Sequence, residues 1–255
     1  MNLTGNTILI TGGGSGIGRA LAEEFHKLGN QVVIAGRRKT VLDETVAANP
    51  GMKALQLDIE DPGAIRDFAA RVVKDFPALN VLINNAGIMR PEKLLAAEPD
   101  LAVAEATIGI NLLGPIRLTT ALLPLLRKQQ HSTIVTVSSG LAFLPLALTP
   151  SYCASKAAIH SWTQSLRYQL KSTTTEVIEL VPPYVATELM TGAHDPRAMK
   201  LDKFIAEVMT IWKTQPTPAE ICVENVKPLR FAAEGGRYEA IYQGLNAART
   251  DGHLE

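Results

Sequence analysis

The stretch "PSYCASK" carries the pair of side chains best suited to chemistry in this chain, Tyr152 and Lys156. A separation of four puts both on one face of a helix, about one turn apart. A phenol normally titrates near about 10, too high for a base at neutral pH. An ammonium held beside it favours the phenolate, which is what a general acid/base requires. Alone, a Tyr-x-x-x-Lys pair is common on amphipathic helices. Here Ser139 lies thirteen positions before Tyr152, at the end of the apolar run "TIVTVS", and the set becomes far more specific.

Such a set has to be held by rigid elements. Short apolar runs alternate with segments of helical period: "TILIT" (7–11), "QVVIAG" (31–36), "KALQLD" (53–58), "VLINN" (81–85), "TIVTVS" (133–138) and "VIELV" (177–181). Several are continuously apolar and rich in Val and Ile, as strands buried on both faces of a parallel sheet are. Asp61-Pro62 and Thr217-Pro218 both read as a helix N-cap followed by Pro at the first helical position. Gly29 reads as the stop of the helix "ALAEEFHKL". The β-α alternation predicts an α/β fold: a single doubly wound, Rossmann-type domain over 1–255, its mostly parallel sheet flanked by helices on both faces. Residues 186–216 show no clear order and are expected to cover the substrate.

With 255 residues, 46% of them hydrophobic, the chain can bury a core that needs no staples. Lys plus Arg total 25 and Asp plus Glu total 25, so no net field favours nucleic acid, an anionic membrane or an acidic partner. Cys153 and Cys222 are too few for a disulfide framework and fit a reducing compartment; Cys153 reads as a packing residue. No apolar run approaches the ~20 residues of a membrane span, and "MNLTGNTILITGG" lacks the pattern of a secretion signal. A soluble, cytoplasmic protein is expected. His26, His131, His160, His194 and His253 have no metal-site spacing, so no metal is expected.

The stretch "TGGGSGIG" (11–18) joins the first strand to a helix starting near Gly16. Glycine lets the backbone take positive φ and come close to a ligand, and a helix N-terminus offers free N–H groups to a phosphate. The spacing Gly-x-Gly-x-x-Gly does not fit; what stands here is Thr11-Gly12-x-x-x-Gly16-x-Gly18. The second strand ends on Gly36, followed by Arg37 and Arg38. A carboxylate at that place suits a ribose 2′-hydroxyl, whereas arginines suit a 2′-phosphate. A basic helix start also opposes the helix dipole and calls for a reason.

The glycine spacing, with Ser139, Tyr152 and Lys156, resembles the classical short-chain dehydrogenase/reductase family. The resemblance implies NADP(H), preferred over NAD(H), bound by Gly12, Gly14, Ser15, Gly16, Ile17 and Gly18 and by Arg37 and Arg38. It adds Asp58 and Ile59 beside the adenine, and Asn85, Ala86 and Gly87 of "NNAG". Tyr152, Lys156, Pro182, Val185 and Thr187 complete the cofactor set. The implied catalytic residues are Asn111, Ser139, Tyr152 and Lys156, and the implied reaction is carbonyl–alcohol interconversion by hydride transfer. In it Ser139 holds the carbonyl oxygen and Tyr152 exchanges the proton. Lys156 binds the nicotinamide ribose, tunes Tyr152 and, with Asn111, links a water to the site.

The chain departs from the family at "VPPYVATEL", where Pro183 replaces a usual glycine, removes an N–H and requires another backbone path. Pro-Pro is similar to a DltE-like bacterial oxidoreductase subgroup, associated by name with D-alanylation of teichoic acid. The segment "YEAIYQGLNAA" fits a strand edge or a terminal helix. Implied partners are a small carbonyl or alcohol substrate and further copies of the chain in a homodimer or homotetramer. The substrate is apolar if Met190, Met199, Phe204, Met209 and Trp212 line the cleft; otherwise they pack the covering segment against the body. Arg90 either faces a substrate carboxylate or is solvated. A non-catalytic dinucleotide-binding sensor or scaffold is the alternative, and it has no need of all four polar residues.

Overall fold

A computed structural model of the chain describes residues 1–95, 100–190 and 195–250, with side chains described as far as 247. His194 and His253 lie outside the described residues, as does part of the covering segment. Among the described residues seven parallel strands form one sheet in the order β3-β2-β1-β4-β5-β6-β7. They are β1 (Thr7–Thr11), β2 (Gln31–Gly36), β3 (Lys53–Gln56), β4 (Leu79–Asn84), β5 (Ser132–Val137), β6 (Thr175–Val181) and β7 (Glu220–Cys222). The helices between the first strands are α1 (Gly16–Lys27), α2 (Lys39–Ala48) and α3 (Pro62–Asp75). Then come α4 (Ala102–Ile108), a π-helical turn (Gly109–Leu113), α5 (Gly114–Leu126) and α6 (Pro150–Leu170). The last described helices are α7 (Leu201–Trp212), α8 (Lys227–Arg230) and α9 (Tyr238–Thr250).

The period-2 alternation of a strand builds two cores. Ile8 and Ile10 of β1 pack with Leu21 and Phe25 of α1 and with Phe204, Val208 and Trp212 of α7. Leu9 faces the opposite layer, where Phe68 of α3, Leu118 and Leu122 of α5 and Leu166 of α6 lie. All three strand residues are fully buried, which is why the runs read as continuously apolar. Strand order reverses between β1 and its neighbours β2 and β4, and an open α/β sheet forms its ligand crevice at that switch point.

Local signals acted where they were expected at two of three sites. Asp61 caps α3, its Oδ1 accepting from the Gly63 N–H at 2.6 Å, and Gly29 takes a φ of +83° just past the end of α1. Thr217-Pro218 starts no helix. The Thr217 hydroxyl accepts a hydrogen bond from the Met1 amino group at 2.9 Å, and β7 follows. Within the segment 186–216, where no element was expected, Leu201–Trp212 form α7, because this stretch is amphipathic and its buried face fills the core through Phe204, Val208 and Trp212. The Trp212 ring meets Phe25 edge-on at 5.2 Å. "YEAIYQGLNAA" is helical, within α9. The run Ala102–Leu126, 25 residues, is long and apolar enough by composition to cross a membrane, contrary to the sequence reading. Its Leu118, Leu122 and Leu126 are fully buried in the core, which accounts for that composition.

Candidate active site

The crevice is a cleft of about 550 Å³ joined to a smaller hollow of about 180 Å³; both are lined by Gly12, Ser15, Arg37 and Arg38. Its floor is the turn from β1 to α1. Gly12 and Gly16 have φ of +67° and +52°, values that side-chain-bearing residues rarely adopt. Gly18 lies beneath: a Cβ there would stand 2.3 Å from Asn85 Nδ2 and 2.4 Å from the Gly12 carbonyl oxygen. The turn is clamped to the loop after β4. The backbone N–H groups of Asn85 and Ala86 each donate to Thr11 Oγ1 at 3.1 Å, and Asn85 Nδ2 donates to the Thr11 carbonyl at 3.0 Å.

Ser15, the N-cap of α1, makes no capping hydrogen bond with its side chain, and the first turn of α1 holds no acidic residue. The leading N–H groups and the positive end of the helix dipole are thus left uncompensated beside the cleft. Arg38 Nη2 approaches Ser15 Oγ at 3.5 Å, and Arg37 lines the cleft with no ion pair among the described residues. Ile17, Asn85, Ala86, Gly87, Pro182, Val185 and Thr187 line the main cleft; Gly14 and Ile59 line the smaller hollow. Asp58 lines neither: it is exposed, and its Oδ1 accepts from the Glu60 N–H at 3.1 Å.

Opposite this cradle, Ser139 ends the β5 connection and Tyr152 and Lys156 project from α6, all three on the main cleft. The Ser139 hydroxyl accepts from the Leu141 N–H at 3.1 Å. Lys156 Nζ stands 5.6 Å from the centre of the Tyr152 ring and donates to the Val137 carbonyl at 2.7 Å. Burial pushes Tyr152 up to about 12, with the polar Ser139 side chain opposing. Burial also pulls Lys156 down to about 8, with Glu179 opposing. A low-dielectric pocket penalises phenolate and ammonium alike, so burial rather than Lys156 governs Tyr152 in the protein alone, against the lowering expected from the sequence.

Asn111 sits in the π-helical turn and has a traceable cause there. Pro115 has no N–H and its ring crowds the carbonyl four residues back, that of Asn111, so the regular ladder opens. Gly114 N donates instead to the Gly109 carbonyl, five residues back. The buried Asn111 side chain then reaches the loop after β4: its Oδ1 accepts from Ile88 N at 2.8 Å and its Nδ2 donates to the Ile88 carbonyl at 2.9 Å. Nδ2 also approaches Ser155 Oγ at 3.2 Å, tying that loop to the helix of Lys156. Asn111 does not line the cleft.

Past β6 the Pro-Pro path carries no positive φ, as the second proline requires. The Pro182 carbonyl accepts from Gly140 N at 2.9 Å, and Val185 bridges to Met199, which keeps Val185 and Thr187 on the cleft. The outer wall is apolar: Met89, Leu141, Leu146, Met190 and Leu245. Of the five residues expected to line or pack, Met190 borders the cleft, whereas Met199, Phe204, Met209 and Trp212 are in the core. Arg90 is exposed at the rim. Cys153 is buried, its Sγ accepting from Leu146 N at 3.2 Å, a packing role as expected. Leu245 was not foreseen; it belongs to α9, pinned by Asn246 Oδ1 accepting from Ala147 N at 2.6 Å.

Among known families, the model described as short chain dehydrogenase matches residues 6–198. The uncharacterized oxidoreductase DltE of Bacillus subtilis is 37% identical over 249 residues, 96% of this chain and 98% of its own length. Dehydrogenase/reductase SDR family member 7B of Bos taurus is 34% identical over 196 residues, 73% of this chain and 60% of its own. A short-chain dehydrogenase structure from Streptomyces avermitilis superposes with a TM-score of 0.80 at 26% identity, covering 95% of this chain and 100% of that one. The 3-ketoacyl-(acyl-carrier-protein) reductase of Brucella melitensis, complexed with NADH, gives 0.74 at 28% identity over 85% and 93%.

Proposed function

The chain belongs to the short-chain dehydrogenase family, and on that premise we propose that it is an NADP(H)-dependent oxidoreductase interconverting a carbonyl and an alcohol. One observation carries this reading: Ser139, Tyr152 and Lys156 line the same cleft as the uncompensated N-terminus of α1 and the arginines Arg37 and Arg38. Those groups fit a phosphorylated dinucleotide. The α1 N–H groups suit its pyrophosphate and the arginines its 2′-phosphate, with Gly36 in place of a carboxylate that would repel it. Ile59, Ala86, Val185 and Thr187, which line the two hollows, would contact the remainder of the dinucleotide.

When bound, the cofactor supplies or accepts the hydride. Ser139 holds the substrate oxygen beside Tyr152. Tyr152 delivers its hydroxyl proton to that oxygen in reduction and recovers it in oxidation, while Lys156 holds the nicotinamide ribose and favours the phenolate. Asn111 fixes the 85–88 loop against α6 and so positions the set. The apolar wall of Met89, Leu146, Met190 and Leu245 favours a medium-sized apolar substrate. The two free thiols, Cys153 and Cys222, support a reducing, cytoplasmic setting, and a homodimer or homotetramer is expected on sedimentation. The decisive assay is NADPH oxidation over a panel of carbonyl compounds, comparing wild type with Tyr152→Phe. Turnover that this change abolishes while NADPH binding persists is expected; turnover that survives it removes Tyr152 from the reaction.

A further inference from the structure

Behind the proposed proton site, β6 carries a glutamate at a position that a buried parallel strand normally gives to an apolar residue. Glu179 is 0% exposed, between Ile178 and Leu180. A buried carboxylate needs hydrogen bonds and an opposite charge. The hydrogen bonds come from His160, whose Nδ1 lies 2.8 and 3.0 Å from the two oxygens. An ionised carboxylate only accepts, so His160 Nδ1 carries the hydrogen.

Beyond His160 itself, the opposite charge comes either from the Glu220 side, as Arg230 or a metal ion, or from Lys156. Arg230 is committed elsewhere: its Nε and Nη2 bond the two oxygens of Glu220 at 2.7 and 3.2 Å. A metal ion is disfavoured for the same reason. The ligand atoms of His160, Glu179 and Glu220 lie within 4.8 Å of one another, but the Arg230 guanidinium already brings a fixed positive charge against Glu220. The other source is Lys156, one helical turn before His160 on the same face of α6. Its Nζ is anchored to the carbonyl of Val137, which pairs with Leu180, while Thr136 pairs with Glu179 itself. Lys156 thus reaches down from α6 to end on β5, one residue from the position registered with Glu179 on β6, and both side chains are buried.

We propose that Glu179, held in place by the Nδ1–H of His160, is the buried counter-charge of Lys156, acting through space rather than as a contact ion pair, and that it keeps Lys156 an ammonium within the cleft. Both Glu179 and His160 are positioning residues; neither lines the cleft. Burial draws Lys156 down to about 8 and Glu179 is the charge that opposes it. Without Glu179, Lys156 would lose its proton closer to neutrality and could neither favour a phenolate nor act as a charged donor. Phe143 covers the histidine edge-on at 4.6 Å, and Arg230 stacks on the other side of the arrangement at 4.4 Å from the Phe143 ring. The titratable groups facing the pair are Tyr152 on α6, Glu220 and Cys222 on β7, and Lys227 and Arg230 on α8, the last also paired with Glu234.

The proposal rests on the oxidoreductase reading only for the use made of the ammonium, and its test needs no turnover. The cofactor-free, full-length protein is labelled with 15N-lysine and the Lys156 side-chain signal, assigned by its loss in Lys156→Met, is followed against pH. Glu179→Gln, which keeps shape but removes charge, is expected to lower the midpoint by about one pH unit or more. Glu179→Asp, which keeps the charge, stays nearer wild type. Should Glu179→Gln not fold, Glu179→Met serves: it removes the charge with an apolar side chain of similar length and is expected to lower the Lys156 midpoint as well. An unchanged midpoint in the folded variant overturns the counter-charge and leaves the hydride-transfer reading standing. A lowered midpoint in a protein that turns over no carbonyl upholds the counter-charge and removes the enzyme reading instead.

Discussion

Lys156→Met removes a buried ammonium, and the folded protein is expected to become more stable at neutral pH while losing its proposed activity. Lys156 titrates at about 8 in the folded protein, against 10.5 for an unperturbed lysine. At about 1.4 kcal/mol per pH unit, the charged form is disfavoured by about 3 kcal/mol on folding. The hydrogen bond from Nζ to the Val137 carbonyl returns about 1 kcal/mol, so the Met variant is expected to gain about 2 kcal/mol near pH 7. The sign follows from proton counting. Below pH 8 both states of the wild type carry the proton and the penalty stands in full. Between about 8 and 10.5 the unfolded chain binds more protons than the folded one, so wild-type stability rises with pH relative to the variant. The advantage of Lys156→Met therefore shrinks through that window. Urea unfolding of both proteins at a series of pH values measures the difference directly; the titrations of Cys153 and Cys222, common to both, cancel, and folded Tyr152, pushed up to about 12, lies above the window. A stability difference that is flat from about pH 7 to about pH 10.5 would refute the claim that burial holds the lysine down.

Three further outcomes are expected. Gly18→Ala drives a methyl to 2.3 Å from Asn85 Nδ2 and 2.4 Å from the Gly12 carbonyl oxygen. It is expected to cost about 1–3 kcal/mol, each lowering the melting temperature by about 2–4 °C, whereas the exposed helical Gly244→Ala gains about 0.5–1 kcal/mol. Equal melting temperatures for the two variants would show that the glycine packing is not required. Asn111→Ala strands the N–H and carbonyl of Ile88, and a loss of about 1–3 kcal/mol per group is expected on urea unfolding; a loss typical of a surface asparagine would deny it the bridging role. Arg37→Asp is expected to weaken NADPH about tenfold or more while leaving NADH nearly unchanged, read by fluorescence titration, since it replaces a phosphate donor by a like charge. Equal weakening of both nucleotides removes Arg37 from the choice of cofactor.

The chain's local chemistry determined what a few neighbouring residues can settle. Val- and Ile-rich runs placed the first six strands, within a residue or two at their ends, because strands buried on both faces need apolar side chains throughout. The cap at Asp61, the stop at Gly29 and the Gly12–Gly18 turn were equally legible, since each depends on its own backbone. So were Ser139, Tyr152 and Lys156 as a set, carried by spacing along one strand end and one helix. What lay beyond was decided by contacts between segments far apart. β7 is three residues long and exists by pairing with β6, which no period could announce. Thr217 was withdrawn from capping by the N-terminus, 216 residues away. Leu245 reaches the cleft because α9 folds back over it, and Asn111 finds its partners 23 and 44 positions off. Ionisation is the clearest case: Tyr152 and Lys156 are named by sequence, but their readiness to hold or release a proton is set by burial and, for Lys156, by Glu179 arriving from β6. Residue type and spacing determine which groups are available; the dielectric around them and the charges beside them are properties of the packed chain.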